Sequence, residues 1–473
     1  MKEIFSVKSI SALIAETQGE HSLKKVLRPF ELIMLGIGAI VGTGIFVITG
    51  LAAANFSGPA LVISFLIAGI ACILAALSYA EFASIVPVSG SAYTYSYAAL
   101  GEIWAWIIGW DLILEYTVAI GSVAIGWSGY ATQLMSNIGI NLPQQLVKPP
   151  MSGGIVNLPA IVIILLITAL LILGVSQSAK LNNIIVIIKL AVILLFILLA
   201  IGKVNPANWH PFMPYGWNGV MQGAAYVFYA YLGFDAVSTA AEEVRNPQKD
   251  LPKGIIGSLI ICTVIYIAVS ILLTGIVPYY KFKNTSAPVA YALEQIGYNW
   301  GSALVSVGAI CGITSVLLVM SYGASRIIFA MSRDGLLPQK FSKVHSKTKT
   351  PILSTALIGI STALIAGFFP LTVVSELTNI GTLAAFIIVS IGVLVLRKRR
   401  PDLKRSFRCP FVPVLPIVAV VFCFVLVLQL NNLTKLRFVV WLFIGLIVYF
   451  VYSRKHSTLR TGIAPSENHV SQS

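Results

Sequence analysis

The sequence predicts an all-α integral membrane protein with twelve transmembrane helices. Three observations predict it. Charged residues make up only 10% of the 473 residues and hydrophobic ones 57%, with a mean hydropathy of +0.89. Soluble domains carry about 25% charged residues, so charge this scarce cannot cover a water-facing surface. The apolar residues fall in runs of about 20, the length that crosses a bilayer as a helix. The basic residues fall between those runs, mostly on one side. Together these features exclude a cytosolic enzyme, a secreted domain and a disordered chain.

The runs lie near 30–55, 59–85, 101–132, 157–176, 181–202, 217–242, 254–278, 299–332, 352–369, 374–396, 411–430 and 437–452. The third and eighth are long and must tilt or project beyond the bilayer. The ninth, eleventh and twelfth are near the minimum length. Placing residues 1–29 and the tail 453–473 in the cytoplasm puts 24 Lys and Arg on that side and six outside. The imbalance predicts that both termini are cytoplasmic and that the number of spans is even. It also accounts for the formal net charge of +15 without any nucleic acid, which would require a basic patch on a polar domain. The longest cytoplasmic pieces are the two termini and loops of under 20 residues, so no soluble domain is expected. Residues 1–29 are mixed and polar and do not read as a signal peptide. The five cysteines, Cys72, Cys262, Cys311, Cys409 and Cys423, have no CxxC spacing and read as packing residues.

Two spans have a composition that argues for a break. The first holds Gly36, Gly38, Gly42 and Gly44 within nine residues, each costing roughly 1 kcal/mol relative to Ala in a helix interior. Small residues also let membrane helices approach closely, so close packing explains part of this run. An unwound segment explains more of it. Amides of Gly42, Thr43 and Gly44 would then open a second half-helix and face an anion. Carbonyls of Ala39 and Ile40 would close the first half and face a cation. The sixth span carries Tyr226, Tyr229 and Tyr231, then Gly233 and Asp235 near its middle. A membrane-embedded Asp costs about 2.5–3.5 kcal/mol on insertion scales and normally faces a cavity or a partner. Asp235 either does that or caps a helix at a break.

Five spans separate the first and sixth, so they run in opposite directions. Residues 30–202 and 217–397 are of similar length. This is the arrangement of an inverted five-plus-five repeat whose discontinuous helices meet at a substrate site. The spans at 411–430 and 437–452 lie outside the repeat.

Lys189 sits near the middle of the fifth span. A buried lysine can lose its proton at cellular pH, so Lys189 is a candidate proton carrier. It also fits a fixed positive charge standing in for a metal cation, or an ion pair with Glu115 or another acid. In the third span Asp111 and Glu115 are at i, i+4 on one face, with Ile108 and Val118. Like charges there repel, so one is protonated or each has its own partner. Glu115 is nearer mid-membrane and fits a pathway role; Asp111 lies closer to the cytoplasmic half and reads as structural. Glu81, Arg326 and Glu376 lie towards span ends, where gating or helix-end pairing fits. Tyr93, Tyr95, Tyr97 and most tryptophans fit interfacial belts.

The chain resembles bacterial members of the amino acid–polyamine–organocation superfamily, closest to the subgroup related to cationic amino acid transporters. The matching stretches are the glycine run to Phe46, Phe234-Asp235, Glu242-Glu243 through Asn246-Pro247 to Leu251-Pro252, and Arg326 through Met331 and Asp334-Gly335 to Pro338. The resemblance covers nearly the whole chain. It implies a leucine-transporter-like fold with broken first and sixth helices. It implies that a substrate carboxylate meets the amides of Gly42, Thr43 and Gly44. The amine would meet carbonyls of Ile40, Tyr229, Ala230 and Leu232, with Asp235 supporting the second break. Lys189 resembles the lysine that replaces a sodium ion in proton-coupled relatives. Ser321 aligns with a position that shapes the side-chain pocket; a small Ser there differs from bulkier members. No acid is placed for a cationic side chain, so small or medium neutral amino acids remain as open as Arg or Lys.

The expected activity is secondary active import of L-amino acids at the bacterial plasma membrane, by proton symport and alternating access. In that cycle the first and sixth helices tilt against a scaffold of the third, fourth, eighth and ninth. Sodium symport and amino acid exchange are the rivals within transport. The expected partners are an L-amino acid, protons and the lipid bilayer, as a monomer or small oligomer. No cofactor, metal or catalytic residue is expected. The histidines His21, His210, His345, His456 and His469 lie outside the spans, and no nucleophile–base set lies within them, which argues against a membrane enzyme. Isolated ionisable residues in place of a continuous polar lining argue against a channel.

Overall fold

The computed structural model describes residues 7–8, 27–86, 91–174, 179–345, 348 and 350–461. Most of the expected segment 1–29, the end of the tail, His21, His469 and the side chain of Lys180 lie outside these residues. The described chain is helical throughout. It contains no β-strand, only isolated bridges such as Leu27 with Val244.

The helices are α1 (Pro29–Ile40), α2 (Leu61–Ile85), α3 (Ser91–Ala99) and α4 (Glu102–Asn137). They continue with α5 (Leu158–Ile172), α6 (Ala179–Ala200), α7 (Gly216–Val227) and α8 (Pro247–Ile276). The rest are α9 (Pro288–Gln295), α10 (Asn299–Arg333), α11 (Ile352–Phe368), α12 (Leu371–Arg399), α13 (Val414–Gln429) and α14 (Asn432–Val448). Among the described residues, seven helical stretches are long and apolar enough to cross a membrane; α1, α5, α11 and α13 are shorter apolar helices.

Local chemistry fixes several ends. Pro29 opens α1, where its missing N–H loses no helical bond, and the Glu31 carboxylate accepts the Arg28 amide at 3.1 Å. Asn157 caps α5 by accepting the Ala160 amide at 3.3 Å, and Asn431 caps α14 by accepting the Leu433 amide at 2.9 Å.

The principal packing pairs are α2 with α8, α4 with α10 and α5 with α11. Around them α1 packs on α8, α7 on α2, α6 on α10, and α12 on α4 and α13. Outward faces of the peripheral helices are apolar, as at Val421, Phe424 and Leu428 of α13 and Val440, Phe443 and Ile447 of α14. That is the surface expected against lipid tails.

Three expectations are corrected here. Tyr93, Tyr95 and Tyr97 are not in an interfacial belt: they are buried on α3, a short helix that spans nothing. Their alternating aromatic pattern packs inward, and the Tyr93 hydroxyl donates to Asp334 at 2.7 Å. Trp106 is also fully buried, stacked on Trp110 at 5.5 Å, which stacks in turn on Trp441 at 4.6 Å. Trp104, Trp217 and Trp300 are exposed. Finally, α4 runs to Asn137 and α14 begins at Asn432, beyond the expected 132 and before the expected 437.

The basic end of the bundle is held by saturated acids. Glu81, 1% exposed, receives Arg397 at 2.9 and 2.6 Å, Arg405 at 3.2 Å and the Cys409 amide at 2.8 Å. Burial pushes the Cys409 thiol up to about 11. Glu102 receives Tyr449 at 2.8 Å and Arg460 at 2.9 Å, and Ser457 donates to it as well. Breaking a buried pair by removing one partner costs about 3–5 kcal/mol. Glu81→Gln, which leaves both guanidiniums without a counter-charge, is expected to cost that order of stability, read as a lower thermal unfolding midpoint in detergent. An unchanged midpoint would show that solvent already screens the cluster.

Candidate functional site

The first glycine-rich span breaks where the sequence indicated. Helix α1 ends at Ile40, and Val41 takes an extended conformation with its amide on the Ile37 carbonyl. The chain resumes as Gly44–Ile48, Thr49–Ala52 and Ala53–Ser57, with π turns at both ends of that segment. The sixth span breaks too. Helix α7 ends at Val227, tightens to a 3-10 turn over Phe228–Tyr231, and resumes only at Ala236–Thr239. Gly233 has φ +103°, a left-handed conformation that only glycine adopts at little cost.

The two breaks touch. A Cβ built on Gly44 would lie 2.4 Å from the Ala230 Cα, and one on Gly233 would lie 2.9 Å from the Ala39 carbonyl oxygen. Both glycines are therefore needed for the close approach of two ruptured backbones. The Tyr266 hydroxyl of α8 reaches across them, 2.6 Å from the Ala230 oxygen and 3.1 Å from the Ile40 oxygen. Tyr130 of α4 donates to the Phe46 carbonyl at 2.7 Å, fixing the segment beyond the first break.

Lys189 is fully buried, and its ammonium donates to the Gly38 carbonyl at 2.8 Å. Its stem lies against Gly312 of α10. It is not paired with Glu115: no ion pair joins Lys189 to any acid among the described residues. The reason is position, because its amine is committed to the end of α1. Asp235 stands at the N-cap of Ala236–Thr239, but its side chain makes no cap bond there. Ser91 of α3 donates to Asp235 Oδ2 at 3.4 Å, so α3 reaches the second break.

The structure thus brings together Ile40, Gly42, Thr43, Gly44, Tyr229, Ala230, Leu232 and Asp235 at the two breaks, with Lys189 just behind the first. Thr43 is buried, and its hydroxyl has no hydrogen-bond partner among the described residues. Ser321 is buried on α10, but the α10 residue facing Gly42 is Val316. Five residues of helix separate them, about 7.5 Å along the axis. Glu115 lies on α4 beside Thr382 of α12. Sequence reasoning missed Tyr266 and Val316. A tyrosine inside an apolar span is the signal for the first, since a buried hydroxyl normally finds an acceptor. Nothing in the sequence marks Val316.

Chemically, the site offers amides at the start of one half-helix and carbonyls at the ends of two others, with those of Ile40 and Ala230 also accepting the Tyr266 hydroxyl. One set suits a negative group and the other a positive one, a few ångströms apart.

Such a helical membrane protein, with two interrupted helices meeting inside the bundle, is a transporter rather than an enzyme. The family model for amino acid permeases matches residues 27–453, and the chain belongs to that family. It is 54% identical over 460 residues to the branched-chain amino acid permease BcaP of Bacillus subtilis, covering 96% of this chain and 99% of that protein. It is 53% identical over 461 residues to the methylthioribose transporter of Bacillus subtilis, covering 97% of this chain and 100% of that protein. The human cationic amino acid transporter 4 is 39% identical over 385 residues, covering 80% of this chain and 60% of that longer protein.

Proposed function

We propose that this permease imports small or medium neutral L-amino acids, branched-chain ones among them, across the bacterial plasma membrane by proton symport. The observation that carries the reading is the contact between the two breaks, which holds anion-facing amides beside cation-facing carbonyls. An α-amino acid carries a carboxylate and an ammonium at that separation. In this reading the carboxylate binds at Gly42, Thr43 and Gly44, and the ammonium at carbonyls of Ile40, Tyr229, Ala230 and Leu232. Asp235 supports the second break. Ser321 and Val316 line the side-chain end, and neither supplies a charge for a cationic side chain. Lys189 and Glu115 carry the proton coupling.

We read the architecture as twelve spans, with repeats at 30–202 and 217–397, two added helices at 411–452, and both termini cytoplasmic. The packing supports this. Exchanging the first five spans with the second five turns the α1–α8 contact into α7–α2 and the α6–α10 contact into α12–α4, while α2–α8, α4–α10 and α5–α11 map onto themselves. Alternating access then tilts the broken helices against the α4, α5, α10 and α11 scaffold.

A second reading has one specific support, the nearly equal identity to the methylthioribose transporter. Methylthioribose has neither carboxylate nor ammonium, so it would leave both halves of the site unused. A thermal-shift screen of the purified protein against the twenty amino acids, polyamines and methylthioribose separates the two. A true ligand at 100 times its Kd stabilises by about 2.7 kcal/mol. Stabilisation by neutral amino acids, with labelled counterflow in liposomes and no sodium requirement, is the expected result. Stabilisation by methylthioribose alone would overturn the substrate assignment, and uptake that needs sodium would overturn the coupling.

A further inference from the structure

Among the described residues the buried acids fall into two kinds. Glu81 and Glu102 are saturated by guanidiniums, hydroxyls or a backbone amide, as described above, and Asp334 holds Tyr93 at 2.7 Å and Lys8 at 3.5 Å. Asp111 is different. It is 1% exposed, yet neither of its carboxyl oxygens has a hydrogen-bond partner among the described residues. Glu115 Oε2, one turn along α4, is buried and unpartnered in the same way. An ionised carboxylate left without partners in a dry interior costs several kcal/mol even after relaxation. A purely structural acid would have the partners that Glu81 and Glu102 have.

The surroundings leave room for a proton and offer no counter-charge. Residues at i, i+4 on a helix have Cβ atoms about 5–6 Å apart, so the two carboxyls can meet directly or through one water. Gly381 of α12 faces them: a Cβ there would lie 2.8 Å from Asp111 Oδ1 and 3.5 Å from the Glu115 Cβ. The other titratable groups around the pair are Asp235 from the second break, Tyr79 of α2 and Tyr116 of α4 itself, with Thr382 of α12 beside Glu115. No Lys or Arg forms an ion pair with either acid among the described residues.

We propose that Asp111 is a proton station of the transport cycle, sharing one proton with Glu115 and handing it on towards the basic face of the protein. Asp111 lies about 6 Å nearer that face along α4. The step is a simple transfer. The Glu115 carboxyl gives its proton to the Asp111 carboxylate and becomes the carboxylate. Asp111 then releases the proton to water at the basic face and is a carboxylate again. One proton moves, and no other bond changes. This inference rests on the proton-symport reading and reassigns Asp111 from a structural residue to a carrier.

The test compares wild type and Asp111→Asn in liposomes, using the ratio of pH-gradient-driven accumulation to counterflow. Coupling free energies of about 1–3 kcal/mol correspond to roughly 5–150-fold, so the ratio should fall at least fivefold. A structural role would lower both rates together and leave the ratio unmoved, which would overturn the proposal. Infrared difference spectra supply a readout independent of transport: in Asp111→Asn Glu115 keeps the proton without its neighbour, so the carboxylic acid band of the pair should shift, and a band unmoved in position and intensity would also overturn the proposal. Should that variant fail to fold, Gly381→Ala, which presses on Asp111 Oδ1, should shift the same band; an unshifted band would overturn the proposal. Wild-type accumulation that ignores a pH gradient would instead defeat the symport reading itself.

Discussion

Replacing Lys189 with alanine should strongly reduce pH-gradient-driven amino acid accumulation while the wild type shows no sodium dependence. The expected loss is roughly 5–150-fold, the range of ordinary coupling free energies. The argument is geometric. Among the described residues Lys189 has no acid partner, and its fully buried ammonium is 2.8 Å from the Gly38 carbonyl, within the last turn of α1. A proton gained or lost there changes whether a charge stands behind the first break. It also changes whether that carbonyl has a strong donor, and charge-assisted bonds of this kind are about twice as strong as neutral ones. Lys189→Gln sharpens the experiment, because it keeps an N–H donor and removes only the charge. If the donor alone matters, Lys189→Gln accumulates substrate like the wild type and the coupling role is lost. If the charge matters, it still shows amino-acid-dependent thermal stabilisation but ignores the pH gradient.

The second large effect is expected at Gly44. An alanine there places its Cβ 2.4 Å from the Ala230 Cα and 2.7 Å from the Ala230 Cβ. Carbon atoms rest at about 3.5–4.0 Å, so the two broken helices must separate by roughly 1 Å. Overpacking of this kind costs about 1–3 kcal/mol, and here the strain falls on the backbone of the site. Gly44→Ala should remove ligand-dependent thermal stabilisation and transport together. Gly42→Ala is the matched control. Its Cβ would press on Val316, with Cγ2 nearest at 3.2 Å, the tip of a side chain that can give way. The expected order is therefore a severe Gly44 variant and a mild Gly42 variant. Equal losses, or the reverse order, would refute the assignment of Gly44 as the contact between the breaks.

That contrast shows how far the sequence reaches. Composition and basic-residue placement made the helical membrane class legible, because the bilayer imposes length and charge rules that act on single segments. The breaks were legible for the same reason: Gly36 to Gly44, and Gly233 before Asp235, violate local helix preference where hydrocarbon supplies no remedy. Gly42 and Gly44 were indistinguishable in the sequence, since their difference lies in which residue of another helix each one meets. Val316 was hidden likewise, a contribution of α10 set by packing, whereas Tyr266 of α8 was marked as a tyrosine inside an apolar span but not by what it bonds. The belt assignment of Tyr93, Tyr95 and Tyr97 failed because aromatic side chains near a span end look alike whether they face headgroups or a neighbouring helix. Lys189 was conspicuous in the sequence, but its partner was not, because a backbone carbonyl leaves no mark on composition.

The bridge between Leu27 and Val244 bears on the rate of the cycle. The Leu27 amide donates to the Glu243 carbonyl at 3.0 Å, and the Arg245 amide donates to the Leu27 carbonyl at 3.1 Å. One rung of backbone therefore ties the chain entering the first broken helix to the chain leaving the second. In the alternating-access reading, these two inner arms cannot swing separately without breaking both bonds. They behave as a single lever with one activation barrier, and a state with one arm displaced and the other closed is disfavoured. On that reading a half-open state is the one through which an ion would slip without its substrate, and the rung would act against leakage by disfavouring it.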